Sequence, residues 1–360
     1  MKSGLEDVVA AETVLSDVDG ANGRLIVRGV SLDELVATSR YEDVLHLLCD
    51  GFLPLPDDLP AALGAARQAV FAHVVAADAA IVALPPVEGL RALMARLADG
   101  DDIDPALQLV AAPAVFTSAL LRLRGGMEPV APDPALPHAT DFLRMLGGTV
   151  PSPQQAAALD RYLVTVADHG LNASTFAARV VASTQAGLAS AVLAALSALK
   201  GPLHGGAPGP VLDMLDGVGK PADAPAWLDN ALARGERLMG FGHRIYRVRD
   251  PRADALKGAV RLLAASGAIE PQRLALAEAV EQAALYLLRQ KKPDRPLETN
   301  VEFYTALLLE ALGFPRDAFT CVFAAGRVGG WVAHAREQAL GGRLIRPMSV
   351  YVGPRPQVAA

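Results

Sequence analysis

The chain has 360 residues, 52% of them hydrophobic, and a formal charge of -6. That is room for two domains or one large helical unit with a sizeable core, and the acidic balance argues against nucleic acid as a partner. The two cysteines, Cys49 and Cys321, lie far apart in apolar surroundings, a pattern of buried free thiols in a reducing compartment.

The opening, Met1 to Asp7, has no basic start followed by an apolar run, so no signal peptide is expected and the protein is expected to be cytoplasmic. Gly23 to Gly29, after the Asp19-Gly20 turn, reads as half a hairpin. Helical spacing then dominates. Leu32 to Leu48 carries apolar residues at Leu32, Leu35, Val36, Val44, Leu45, Leu47 and Leu48, which predicts one helix. Further helices are predicted over Pro60 to Ala80, Val87 to Leu97, Pro105 to Leu123, Leu136 to Leu146 and Gln154 to Asp168. The longest apolar stretch, Ala106 to Leu121, is interrupted by Gln108, Pro113, Thr117 and Ser118 and reads as too short to span a bilayer. Ser174 to Leu199 predicts one or two buried helices. Pro210 to Val218 is entered through proline, which suits a first turn. Ala226 to Arg234, Pro251 to Ser266, Arg273 to Arg289, Val301 to Leu312 and Arg316 to Leu340 complete the helices, and Ser349 to Val352 reads as a short strand. With so little strand the class is all-α. Gly201 to Pro210 is both flexible and rich in chemistry, which predicts a hinge.

Three of the seven histidines sit in Gly/Asn/Ser-rich words. They are His169 in Asp168-His169-Gly170-Leu171-Asn172, His204 in Gly201-Pro202-Leu203-His204-Gly205-Gly206, and His243 in Met239-Gly240-Phe241-Gly242-His243-Arg244. A lone histidine is ordinarily a hydrogen-bonded core residue; three in words of low helix propensity weaken that reading. None pairs at i,i+4 or meets a carboxylate at ligand spacing, so no metal is expected. Ser174 and Thr175 lack a nucleophile elbow, and no phosphate-binding glycine loop is present. Glycine beside histidine lets backbone approach a ligand closely. Two imidazoles, His204 and His243, and one carboxylate, Glu302 in Asn300-Val301-Glu302-Phe303-Tyr304, are the parts that move a proton off carbon and stabilise an oxyanion. Arg252, Arg327 and Arg346 are candidate forks for carboxylates. Arg327 stands out because it interrupts the apolar helix Phe319 to Ala335, where a charge needs a partner or a ligand.

These words, in this order, resemble the citrate synthase family over nearly the whole chain. Gly4-Leu5-Glu6, Glu12-Thr13 and Leu25 to Gly29 look like its opening. Asn172 to Arg179, the words around His204 and His243, Asn300 to Tyr304, Gly330 to His334 with Glu337-Gln338, and Arg346 to Gly353 follow. The resemblance implies an all-α, two-domain helical fold and an obligate homodimer. The large domain would comprise 1–204 and 313–360, and the small domain 205–312, closing the cleft on substrate. It implies a Claisen-type condensation of acetyl-CoA with oxaloacetate, with no cofactor beyond the coenzyme A thioester as substrate. Glu302 would take the acetyl proton, His204 would hydrogen-bond the thioester oxygen, and His243 would polarise the oxaloacetate ketone. His169, Arg252, Arg327 and Arg346 would hold the dicarboxylate, with Arg346 reaching in from the partner subunit. Arg247, Gly240 and Gly242 would meet coenzyme A.

Some positions depart from the family pattern. Glu302 stands where Asp is usual, Val166 where His is common, Gly170 where Glu is common and Pro208 where Asn is common. The chain begins at the shared opening, without the added N-terminal β-region of the longer bacterial type, which implies a dimer free of NADH inhibition. A 2-methylcitrate synthase using propionyl-CoA, and a weakly active homologue that binds coenzyme A or a dicarboxylate, are the alternative readings.

Overall fold

The computed structural model describes residues 5, 8–75, 79–100, 102–205, 208–295 and 297–354. Gly4 and Glu6 of the opening and Gly206 of the His204 word lie outside them. A small antiparallel sheet comes first, β1 (Ser16–Asp19), β2 (Arg24–Val27) and β3 (Val30–Ser31), in the order β1-β2-β3. Its register pairs Asp19 with Arg24 and Val27 with Val30. The hairpin read from Gly23 to Gly29 is therefore present, with a third short strand added.

Helices follow in chain order: α1 (Leu32–Thr38), α2 (Tyr41–Cys49), α3 (Leu59–Val75), α4 (Ala79–Ala83), α5 (Pro86–Met94), α6 (Ile103–Arg124), α7 (His138–Gly147) and α8 (Pro153–Val166). Then come α9 (Ala173–Ala182), α10 (Leu188–Leu199), α11 (Pro208–Val218), α12 (Ala224–Ala233), α13 (Pro251–Ala265), α14 (Pro271–Lys291), α15 (Val301–Ala311) and α16 (Phe319–Gly341). The all-α reading holds. The single helix expected over Leu32 to Leu48 is instead two, because the chain is extended at Ser39 and Arg40, where the Asp43 carboxylate accepts the Arg40 backbone N–H at 2.8 Å and restarts the helix. Ser174 to Leu199 is likewise two helices. Ser349 to Val352 forms no strand; it is exposed, and no strand among the described residues pairs with it.

Two helices carry the core. α6 packs against α3, α5, α7 and α16, and α16 packs against α8, α9 and α10 as well. α6 spans 22 residues, long and apolar enough by length and composition to cross a membrane, but 78% of its most apolar window is buried inside the protein. It runs three residues beyond the apolar stretch read from sequence at each end, and Pro113 lies inside it. Each fully buried Leu or Phe along these helices contributes roughly 1.5–3 kcal/mol, so the two helices form a rigid support.

Helix starts are capped where the chemistry lies. Asn172 Oδ1 accepts the backbone N–H groups of Ser174 and Thr175 at the start of α9. Asp250 caps α13, with Pro251 in its first turn, and Asn300 caps α15. Such caps satisfy donors that a helix N-terminus otherwise leaves free. The sheet braces two of these segments. Ser16 Oγ bonds the Asp168 carboxylate and accepts the Gly170 N–H at 2.9 Å, while Gly20 O accepts the Arg247 N–H at 2.8 Å.

Candidate active site

The three histidines picked out by sequence lie in loops that precede or join these capped helices. His169 and His243 meet edge to face with ring centroids 5.6 Å apart. His204 lies against the start of α9, within 2.9 Å of Ser174 Oγ. Both His243 and Arg252 act electrostatically on His169, as do Arg327 and His204, so these residues share one site.

Backbone donors fix where each imidazole carries its hydrogen. His243 Nδ1 accepts the N–H groups of Ile245 (3.0 Å) and Tyr246 (3.1 Å). A neutral ring has one N–H and one acceptor nitrogen, so the hydrogen of His243 sits on Nε2. His204 Nε2 faces the Ser174 N–H at 3.3 Å, which assigns its hydrogen to Nδ1. The Ser174 hydroxyl is itself held, its hydrogen lying between two acceptors, Asn172 Oδ1 at 2.7 Å and His204 Nε2 at 2.9 Å, while its oxygen accepts the Trp331 indole N–H at 3.2 Å. Both rings are kept neutral. Burial first, and then the Arg327 charge, lowers His204 to about 4. Burial and the Arg252 charge lower His243 to about 4. Burial also drives His169 well below the usual histidine range, reinforced by Arg252 and Arg327.

His243 Nε2 lies 3.2 Å from Arg252 Nη2. With the hydrogen on Nε2, two donors face one another, and an oxygen ligand between them would accept from both. The same guanidinium is pinned from behind by Asp250, Nε to Oδ1 at 3.0 Å and Nη2 to Oδ2 at 2.8 Å. Arg327 is fully buried in α16, donating Nε to Val166 O at 2.5 Å while its Nη2 has no partner among the described residues. Burial lowers its pKa to about 10, Arg252 adding to that and Asp168 opposing it. A buried guanidinium with an unused N–H group is a site for an anion.

Glu302 stands in the first turn of α15. Burial raises its carboxyl to about 7, helped by the Asp250 charge and opposed by Arg252, Arg237 and the Asn300 side chain. The loop before it is clamped to the His243 loop: Gly242 N–H to Glu298 O at 2.7 Å, Asn300 N–H to Gly240 O at 2.9 Å, and Asn300 Nδ2 to Gly242 O at 2.8 Å. Gly240 and Gly242 both have positive φ, +85° and +83°, and a Cβ on either would strike Phe303 or Leu297. Glycine is required there for conformation and for space.

Two of the residues marked by sequence lie away from this cluster. Arg247 is exposed, on the loop beyond His243. Arg346 is exposed in the extended segment after α16, together with Met348, Val350, Tyr351 and Val352. Of the departing positions, Val166 supplies the carbonyl that holds Arg327, and Gly170 has φ +60° with Val18 against its Cβ position. Pro208 opens α11.

Sequence reading missed four contributors. Tyr246 is buried, its hydroxyl 3.1 Å from His169 Nε2; in sequence it looks like any core tyrosine. Ser174 and Asn300 act through backbone geometry that no spacing reveals. Asp250 had a readable signal, an Asp directly before Pro at a helix start. A further buried set supports the site from below. Arg179 Nη1 donates to His334 Nδ1 at 2.9 Å, leaving His334 Nε2–H to face Asp168. Burial works to raise Asp168, yet His334 and Arg327 hold it below the usual carboxylate range. Among the described residues no group of His, Cys, Asp and Glu is arranged to hold a metal.

The family described as "Citrate synthase, C-terminal domain" matches residues 4–348. A "Putative citrate synthase 2" of Mycobacterium tuberculosis is 41% identical over 366 residues, covering 98% of this chain and 93% of that one. "Citrate synthase" of Haloferax volcanii is 39% identical over 99% of this chain and 96% of its own. A "2-methylcitrate synthase" of M. tuberculosis is 36% identical over 99% and 92%. The solved ternary complex of Thermoplasma acidophilum citrate synthase with carboxymethyl coenzyme A and oxaloacetate superposes with a TM-score of 0.86 at 29% identity, over 100% of this chain and 98% of that one. Matched by this family's model over residues 4–348 and by these relatives over nearly its whole length, the chain belongs to the citrate synthase family of condensing enzymes.

Proposed function

We propose that this protein is a citrate synthase, joining the methyl carbon of acetyl-CoA to the ketone of oxaloacetate and hydrolysing the resulting citryl thioester to citrate and free coenzyme A. The observation that carries this is the fixed placement of two neutral imidazole hydrogens, on His204 Nδ1 and His243 Nε2, in a site with Glu302. A carboxylate is far too weak a base for a thioester α-carbon in water, so proton removal needs a donor that strengthens as charge reaches the thioester oxygen. Glu302 takes the methyl proton and His204 Nδ1–H receives the developing enolate. The enolate carbon attacks the oxaloacetate ketone, whose oxygen is polarised by His243 Nε2–H and takes up a proton as the carbon–carbon bond forms. Water then cleaves the thioester and releases the thiol.

His169, Arg252 and the unused Nη2 of Arg327 bind the dicarboxylate, and Arg346 of a second copy completes its binding in a homodimer. Arg247 and the backbone at Gly240 and Gly242 meet coenzyme A. Residues 205–312 form the closing domain against 1–204 and 313–360; the packing of α11 on α12, α14 and α15, and of α12 on α14, supports that division. The M. tuberculosis relative named 2-methylcitrate synthase favours one second reading, propionyl-CoA as acyl donor. One methylene in an apolar pocket is worth about 1–3 kcal/mol, so measurement decides. Oxaloacetate-dependent thiol release with each thioester is the test. A higher kcat/KM with acetyl-CoA supports citrate synthase, a higher value with propionyl-CoA supports the second reading, and no release with either overturns both.

A further inference from the structure

Asp250 is 1% exposed, and one carboxylate there receives four donors. Oδ1 accepts the Arg252 backbone N–H at 3.1 Å and Arg252 Nε at 3.0 Å. Oδ2 accepts Arg252 Nη2 at 2.8 Å and the Val301 backbone N–H at 3.1 Å. An ionised carboxylate offers about four acceptor sites, so all are filled and the group has no freedom to turn. Two of the four donors belong to the guanidinium whose Nη2 lies 3.2 Å from His243 Nε2. The other two belong to the first turns of α13 and α15, and Val301 immediately precedes Glu302. No other side chain among the described residues bonds both of these helix starts.

We infer that Asp250 is a positioning residue of the condensation: its single carboxylate sets both the aim of Arg252 at the dicarboxylate and the start of the helix that presents Glu302. The inference rests on the citrate synthase reading for the reaction it serves. Bidentate pairing fixes a guanidinium in plane and direction, and a misplacement of about 1 Å at a reacting group costs on the order of 100-fold in rate. The Asp250 charge also joins burial in holding the Glu302 carboxyl up, against Arg252, Arg237 and the Asn300 amide.

Two variants separate the two tasks. Asp250→Asn keeps a helix-capping side chain but loses the charge and half of the fork. Val301→Pro deletes the N–H that Asp250 accepts, keeps the Asp250 carboxylate and its grip on Arg252, and exchanges the half-buried valine side chain for an apolar ring. It does so at the first helical position, which favours proline, after an Asn300 whose extended backbone (φ -107°, ψ 176°) suits a following proline. In steady-state thiol release, Asp250→Asn should raise KM for oxaloacetate about 10- to 100-fold and lower kcat about 100-fold. The acid limb of its kcat profile should move to lower pH, because losing Asp250 and freeing Arg252 both favour the Glu302 carboxylate. Val301→Pro should lower kcat about tenfold with KM for oxaloacetate unchanged. Folded Asp250→Asn with KM, kcat and acid limb all as in the unaltered protein would overturn the inference, and unchanged kcat in Val301→Pro would overturn the part concerning Glu302. Should the unaltered protein release no thiol, the functional reading fails by itself. Calorimetric titration with oxaloacetate then decides the Arg252 part: weaker binding by Asp250→Asn sustains it, and equal binding removes it.

Discussion

His204 and His243 arrive at the same protonation state through different anchors, one by the Ser174 N–H and the other by the Ile245 and Tyr246 N–H groups. Both are lowered to about 4, so neither titrates near neutrality, whereas Glu302 is raised from 4.5 to about 7. A base works only when deprotonated, so kcat should fall as pH drops below about 7, with a single-proton slope, and the pH profile of kcat checks this. The same shift has a stability consequence. A carboxyl whose folded pKa is raised favours the folded state below its unfolded value, and that favour is lost as pH rises through the folded value. Glu302→Gln should therefore melt higher than the unaltered protein at about pH 8, and no higher at about pH 4. Scanning calorimetry at both pH values reads the difference, worth at most about 3 kcal/mol. The histidine words, Arg252, Arg327 and Glu302 were legible in the sequence because their residue types are rare in such settings. Tyr246 and Ser174 were not, because what they do depends on contacts across 77 and 30 residues of chain respectively.

At the scale of elements, the loop holding His243 and the start of α15 behave as one unit through the backbone bonds of Gly240, Gly242 and Asn300. Gly240→Ala places a Cβ against Phe303 in a left-handed backbone. It should destabilise the fold by about 1–3 kcal/mol and lower kcat, checked by denaturant unfolding alongside turnover. Apolar periodicity made most helices legible, because each buries a stripe against neighbouring helices. It failed between α1 and α2, where the apolar spacing continues through a break set by Asp43 bonding the Arg40 N–H. It failed again at Ser349 to Val352, whose β-branched and aromatic residues suit a strand but find no partner strand among the described residues. Strand propensity describes a fit to a neighbouring surface, and one chain alone does not supply it here.

Across the whole molecule, four lowered histidines, His138, His169, His204 and His243, outnumber two raised carboxyls, Asp160 and Glu302. Each histidine favours the folded state above its unfolded value near 6.5 and loses that favour as pH falls through its folded value. The melting temperature should accordingly decline between about pH 6.5 and about pH 4, more shallowly in His204→Asn than in the unaltered protein. The exposed segment bearing Arg346 suits a site completed by a second copy. Glu302→Gln and Arg346→Gln, each inactive alone, should regain about a quarter of full activity when unfolded and refolded together, since half of the dimers are mixed and each mixed dimer has one intact site. Absence of rescue would place Arg346 within its own subunit's site or outside catalysis. The central claim is that Glu302 is the base in an oxaloacetate-dependent condensation, and thiol release from acetyl-CoA by the unaltered protein and by Glu302→Gln, side by side, tests it most directly. The expected result is turnover that requires oxaloacetate and falls about 100- to 10,000-fold in Glu302→Gln. Equal rates in the two proteins, or release without oxaloacetate, would contradict it.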